Sequence, residues 1–384
     1  MGPRKRTVGA IALGIAVLAA LAAIYAGYVR GDMSDFGVPY RNAERILQGE
    51  TLYRPSDGHL QYKYAPASAL FYVPLALLPL ETAKIIWYGL EVILLAGICA
   101  VGWRILPRKR KSAGFVIGFG FLASLKFLGR EIELGQVNLL IIFLLVLMVG
   151  TYLAKRDAWA GCFWALSIFF KPYALVFLPY FVLKKRWKPL LSGLAVLGGG
   201  GLLPAVFYGF RGNLVVHREW IDRLSDSTPG LLAVGDNASL LAFFLKLFPG
   251  FPETIFQIAW AAAGFAIAAL FLWMMRTAKA GDLRGAEVLE ASFLLVLIPL
   301  FSPLGWYYNY LYALPAFFVL LNAWPLLSGT WKGVLAADFL LISGTLREIL
   351  GKTLFDIYQR RSWVVVNFII VLAALAHLRA RKID

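Results

Sequence analysis

Apolar stretches comparable to the roughly 20 residues a helix needs to cross a bilayer recur between residues 7 and 378, with no long polar block between them. Hydrocarbon offers no partners to backbone N–H and C=O groups, so such stretches must fold as helices packed side by side. Composition agrees: 60% of the residues are hydrophobic and 16% charged, and the mean hydropathy is +0.70. Soluble chains have about 45–50% and about 25% respectively. The expectation is an all-α polytopic membrane protein, one integral membrane domain over residues 1–384. Cys99 and Cys162 both fall in apolar segments, and His59, His217 and His377 are scattered, so neither a disulfide framework nor a zinc site is expected.

The charge is distributed with a direction. Basic clusters stand at Arg4 to Arg6, Arg104 to Lys111, Lys155-Arg156, Lys184 to Lys188, Arg276 to Arg284, Lys332 and Arg379 to Lys382. By the positive-inside rule these mark the cytoplasmic face, with both termini inside. That face carries the net charge of +16, and the remaining charges cancel. A nucleic-acid partner therefore loses its support. The outer face is left with a balanced polar surface suited to binding or catalysis. Thr7 to Val29 is too long for a secretory signal and lacks its cleavage site, so it reads as a retained first span.

About twelve crossings are expected, at 7–29, 84–103, 113–129, 136–154, 158–170, 172–183, 190–210, 253–275, 289–301, 307–323, 333–346 and 363–378. Pro66 to Leu80, short and holding Pro74 and Pro79, reads as re-entrant or oblique. Lys171-Pro172 splits 158–183 into two half-spans and brings Lys171 near the outer interface. Irregular backbone at membrane depth survives where protein or water satisfies it, so both places point to an outward-facing cavity. Outer loops are expected at 30–64, 211–237 and 347–361, with a short interfacial helix over Tyr40 to Gly49.

The first outer loop reads Gly31-Asp32-Met33-Ser34-Asp35 and Tyr40-Arg41-Asn42-Ala43, then Gly49-Glu50-Thr51-Leu52-Tyr53, then Tyr62-Lys63-Tyr64-Ala65-Pro66 running to Pro74 and Pro79. Farther on come Gly135-Gln136-Val137-Asn138, Phe170-Lys171-Pro172, Asp236-Asn237-Ala238-Ser239 and Ser302-Pro303-Leu304-Gly305-Trp306. In this order they resemble the polyprenol-phosphate-sugar-dependent glycosyltransferases of the GT-C fold, in particular glycosyltransferase family 87. Ala65 replaces one proline of the family pattern. Tyr307 and Tyr308 stand where related sequences often carry a histidine, so no histidine role carries over there. The resemblance implies transfer of a hexose, mannose or another, from a polyprenyl-phosphate donor to a lipid or glycan acceptor on the outer face of the cytoplasmic membrane.

Transfer from a lipid phosphate needs a base for the acceptor hydroxyl, cations for the departing phosphate and a groove for the lipid. Asp35, just outside the first span, is the candidate base for an inverting single displacement, with Asp32 in reserve. Lys171 is the candidate phosphate cation, the alternative being a lysine that snorkels to the interface. Lys126 and Arg130, four residues apart, share a helical face and either hold phosphate or pair with Glu131 and Glu133. Gln136, Asn138 and Asn237 suit sugar hydroxyls or phosphate, or cap helices. Tyr40 and Tyr64 enter through the resemblance. Trp306 and Tyr307 stack on a substrate or belong to an interfacial aromatic belt. His217 lies where an acceptor would bind, among residues that also suit a loop salt-bridge network. Glu91, in mid-span, is a structural carboxylate or part of a cavity wall.

No glycine-rich phosphate loop is present, so no nucleotide or redox cofactor is expected, and Asp32 and Asp35 are too few to argue strongly for a divalent ion. Two other classes share the many spans. A polyprenyl-diphosphate-dependent ligase or polymerase would place essential Arg or His in a late outer loop; Arg211, His217, Arg218, Arg223 and Arg347 to Arg361 stand in such loops and keep that class open, while the acidic first-loop pattern argues against it. A transporter would show internal symmetry, which the sequence lacks.

Overall fold

The computed structural model describes residues 16–248, 250–276 and 283–380. The Arg4 to Arg6 cluster, the start of the first apolar segment, and Lys279, Asp282, Arg381 and Lys382 of the expected inner face lie outside the described residues.

The described residues are helical, with loops and one isolated bridge. Helix α1 (Ala16–Val29) turns by 85° into α2 (Ser34–Leu47), where Met33 takes φ 51° and Asp32 Oδ1 accepts from the Ser34 N–H at 3.1 Å. Short α3 (Ala69–Ala76) leads through Pro79 into α4 (Leu80–Ile105). α5 (Ala113–Leu134) starts on a Ser112 cap and stops at Gly135. α6 (Asn138–Leu153) and α7 (Asp157–Phe170) follow. After Lys171-Pro172 the chain resumes as a 3₁₀ turn and α8 (Phe177–Leu183). α9 (Trp187–Leu202) leads through Leu203-Pro204 into α10 (Ala205–Ser227), which is kinked at Gly209 and lies at 101° to α9. Then come α11 (Leu240–Leu247), α12 (Glu253–Arg276) and α13 (Leu283–Phe301). A 3₁₀ segment over Tyr307–Ala313 runs into α14 (Leu314–Asn322), followed by α15 (Gly329–Gly344). α16 (Arg347–Arg360) bends by 69° into α17 (Val364–Ala380).

α6, α13, α14 and α17 are buried almost all round and form the centre, as helices apolar on every face do. Around them Ile93, Phe265 and Leu340 stand exposed. An apolar surface of that extent belongs against hydrocarbon, and the chain is a membrane protein.

Among the described residues three helices, α4, α5 and α12, are long and apolar enough to cross a membrane, or up to six crossings if each bent pair is one span. Each of the twelve apolar segments is helical where described, several of them short. Two expectations need correction. The span at 190–210 is interrupted twice, at Leu203-Pro204, where proline cannot donate to the helix ladder, and at Gly209, whose φ of +67° and ψ of 172° turn the chain into the rest of α10. The stretch at 211–227, read as loop, is an amphipathic helix, and 347–360, also read as loop, is helical on either side of a break at Gly351 (φ +71°). The interfacial helix begins at Ser34, six residues earlier than its sequence signal, and Gly49 follows its end at φ +66°.

At the expected cytoplasmic end, Glu290 receives Lys184 Nζ at 2.7 Å and the Tyr180 hydroxyl at 3.0 Å, and Glu287 receives Arg186 at 3.0 Å. These satisfied carboxylates tie the α8–α9 turn to α13. Glu91 is fully buried in α4, with neither oxygen hydrogen-bonded, and does not reach the cavity described next.

Candidate active site

The site is assembled on the α5–α6 turn. Gly135 has φ +65°, and a Cβ there would stand 2.8 Å from Phe36 Cβ and 3.0 Å from Met33 Cε. Only glycine lets the start of α2 rest on this turn, where the Met33 N–H donates to the Glu133 carbonyl at 2.9 Å. We expect Gly135→Ala to cost about 1–2 kcal/mol in backbone strain plus about 1–3 kcal/mol in overpacking. Thermal unfolding in detergent would show this as a lowered midpoint; an unchanged midpoint would mean that α2 docks without this contact.

The docking sets Asp35, in the first turn of α2, against Gln136, whose Nε2 donates to Asp35 Oδ2. Pro39 cannot donate to the Asp35 carbonyl one turn back, so this first turn is held chiefly by its contacts to α5 and α6.

Lys171 arrives from the other side. Its backbone is extended (φ −146°) between α7 and Pro172, and the Ala65 N–H donates to the Phe169 carbonyl at 3.0 Å, drawing the Tyr64-Ala65-Pro66 element onto the break. Lys171 Nζ donates to Gln136 Oε1 at 3.1 Å and to Asn138 Oδ1 at 2.9 Å, and lies 5.7 Å and 5.6 Å from the ring centres of Tyr173 and Tyr308. Behind it Asn138 Nδ2 donates to Glu131 Oε2 at 2.8 Å, and the Leu139 N–H to Glu131 Oε1 at 3.1 Å. One amide thus joins a carboxylate to an ammonium, and a buried carboxylate offsets the lysine charge from the rear.

A second joint fixes the aromatic wall. Asn237 Oδ1 accepts from the N–H groups of Ser239 and Gly305 at 3.0 Å each, and its Nδ2 donates to the Pro303 carbonyl at 3.0 Å. With the Ala238 N–H on the Gly305 carbonyl at 2.7 Å, this clasps two sequence-distant motifs together. Trp306, Tyr307 and Tyr308 are thereby presented to the site.

These elements, with α10 and α16, enclose a cavity of about 1720 Å³. Of the residues singled out in the sequence, Asp35, Tyr64, Gln136 and Lys171 line it, as do Lys126, Arg130, Trp306 and Tyr307. Lys126 also donates to Thr345 Oγ1, and Arg130 pairs with Glu133 at 2.8 Å and lies 3.9 Å from Asp32.

The others are placed away from the cavity surface. Asn138 and Asn237 stand behind the walls in the bonds just described. Asp32 closes the α1–α2 turn. Tyr40 donates to the Leu78 carbonyl at 2.8 Å, fixing α2 to the α3–α4 connection. His217 is bonded through Nδ1 to the Asn213 carbonyl at 2.8 Å, within α10. Sequence reading gave no role to Lys63, or to Arg223 and Arg347 beyond their loops, yet all three line the cavity; the helical periodicity of 205–227 was the available signal for Arg223.

The Asp35 carboxyl is pushed above the usual carboxylate range, chiefly by burial, against the lowering effects of the Gln136 hydrogen bond and the Lys171 charge. A half-buried carboxylate raised in this way, beside a cation and open to a cavity, is suited to taking a proton.

The model of glycosyltransferase family 87 matches residues 62–303, so Asp35 precedes and Trp306 follows the matched region. Over 336 residues the chain is 25% identical to a polyprenol-phosphate-mannose-dependent alpha-(1-2)-phosphatidylinositol mannoside mannosyltransferase of Mycobacterium tuberculosis, covering 78% of this chain and 74% of that protein. A protein of the same description from Mycolicibacterium smegmatis is 26% identical over 197 residues, 49% of this chain and 42% of its own length. Among solved structures, that of ArnT from Cupriavidus metallidurans bound to undecaprenyl phosphate is similar with a TM-score of 0.47 and 15% identity, over 97% of this chain and 74% of that one. With the family model matched over more than half its length, the chain belongs to glycosyltransferase family 87, and it is a glycosyltransferase.

Proposed function

We infer that the cavity transfers a hexose, mannose in the first instance, from a polyprenyl-phosphate donor to a lipid or glycan acceptor at the outer face of the cytoplasmic membrane. The carrying observation is the Gln136 side chain, which holds a carboxylate at one end and an ammonium at the other on a single cavity wall. The donor class named for the mycobacterial relatives supports the reading, as does a volume well above the ordinary range for one small ligand, about 300–1,000 Å³.

In this reading Asp35 takes the proton of the acceptor hydroxyl as its oxygen attacks the anomeric carbon. The bond from that carbon to the phosphate oxygen breaks, the electron pair leaves with the polyprenyl phosphate, and Lys171, with Arg130 and Lys126 in the same cavity, receives its charge. Attack and departure lie in line, so the configuration inverts. Gln136 keeps base and cation in register. Both termini are inside, on the side of the basic clusters, and the first loop, α10 and α16 are outside.

The test uses purified protein in lipid with labelled polyprenyl-phosphate-mannose and, separately, polyprenyl-phosphate-glucose, plus a lipid extract of the source cells. Label in a new lipid or glycan product supports the reading and selects the sugar. No transfer from either donor would overturn it.

A further inference from the structure

Lys63 and Arg223 line the cavity from elements other than those carrying Asp35, Gln136 and Lys171. Residues 61–63 run along one face of α10. Trp220 Nε1 donates to the Lys63 carbonyl at 3.0 Å, and one turn on Arg223 Nη1 reaches Gln61 Oε1 at 3.4 Å. The flanking tyrosines are anchored as well: the Tyr62 hydroxyl is 2.6 Å from Ser68 Oγ, and Tyr64 accepts from the Tyr53 hydroxyl through its carbonyl at 2.7 Å. Lys63 is thus a half-buried ammonium on a fixed backbone. Among the described residues no acid stands within ion-pair distance of it. Burial and, after it, the neighbouring Arg223 charge lower the proton affinity of its amine, against the raising effect of the Asp35 charge across the cavity.

We propose that Lys63 and Arg223 form a second anion subsite that binds the phosphodiester of an acceptor lipid, separate from the donor phosphate at Lys171. The assignment rests on the transfer reading above. In an in-line displacement the acceptor hydroxyl approaches the anomeric carbon opposite the leaving phosphate. With Lys171 engaged by the departing group, a cation pair on a different element serves the incoming molecule. α10 supplies Arg223 and also exposes Phe210, Leu214 and Ile221 along another of its faces, which sets it at the depth of lipid headgroups. A phosphodiester offers acceptor oxygens that both a guanidinium and an ammonium can bind.

The experiment measures binding to the full-length protein in detergent with three probes: undecaprenyl phosphate, short-chain phosphatidylinositol, and short-chain diacylglycerol as the uncharged control. Wild type should bind phosphatidylinositol at least tenfold more tightly than diacylglycerol. Lys63→Gln/Arg223→Gln should lose at least tenfold of that affinity while undecaprenyl phosphate binds unchanged, which also shows that the variant is folded. Lys171→Ala should give the reverse pattern. Unchanged phosphatidylinositol binding in the double variant would overturn the subsite, and so would equal weakening of both phosphates. Failure of wild type to bind undecaprenyl phosphate would instead count against the transfer reading itself.

Discussion

Asp35→Asn is expected to abolish measurable transfer while leaving donor binding intact. A positioned general base contributes about 10²- to 10⁴-fold in rate, and the amide keeps the shape but accepts no proton. The same burial predicts the stability of the variant. A carboxyl whose proton affinity is raised in the folded state favours the protonated form there, so at neutral pH, above its ordinary range, the ionised side chain opposes folding. Removing the charge should leave the unfolding midpoint equal to or above that of wild type. In the wild type, transfer should fall as pH drops through a value above the usual aspartate range, because the base is lost on protonation. Wild-type turnover by the variant would remove Asp35 from the mechanism, and an acid limb within the ordinary aspartate range would contradict the burial argument.

The second large effect belongs to Lys171. Replacement by alanine should weaken donor binding and slow transfer about 10²- to 10³-fold, the loss typical when a preorganised charge partner of the leaving group is removed. The variant also leaves the fully buried Glu131 without the ammonium that faces it across Asn138, and a buried carboxylate with no cation nearby destabilises the fold. Stability and catalysis are separated by Lys171→Ala/Glu131→Gln. This double variant should recover a near-native unfolding midpoint and remain slow. If turnover returns with the midpoint, Lys171 is a structural partner of Glu131, and the phosphate must be met by Arg130 and Lys126.

What the sequence revealed and what it concealed divide along physical lines. Hydropathy located the helical segments because burial in lipid demands long apolar runs, and Lys171-Pro172 announced its break because proline cannot donate. Asp35, Gln136 and Lys171 were legible one at a time from motif and topology. The amide that joins them was not, since it needs Gly135 to admit Phe36 and Met33, a contact between chain positions about a hundred apart. Asn138 and Asn237 were recognised as polar groups of the right kind, but a motif does not say which of its members faces the cavity and which holds the wall. Arg223 was hidden by reading 211–237 as loop: a polar stretch beyond a span looks the same whether it is coil or a helix lying along the interface, and only the latter turns every third or fourth residue inward.

The sharp turn that ends at Gly209 has a kinetic consequence for the proposed reaction. In that reading α10 runs across the end of the bundle instead of through it and holds the cavity at headgroup level, where a lipid substrate reaches it by lateral diffusion without leaving its leaflet. The concentration such an enzyme senses is the mole fraction of substrate in the surface around it. Diluting the bilayer with inert lipid at constant bulk amounts slows encounter, whereas diluting the suspension with buffer leaves it unchanged.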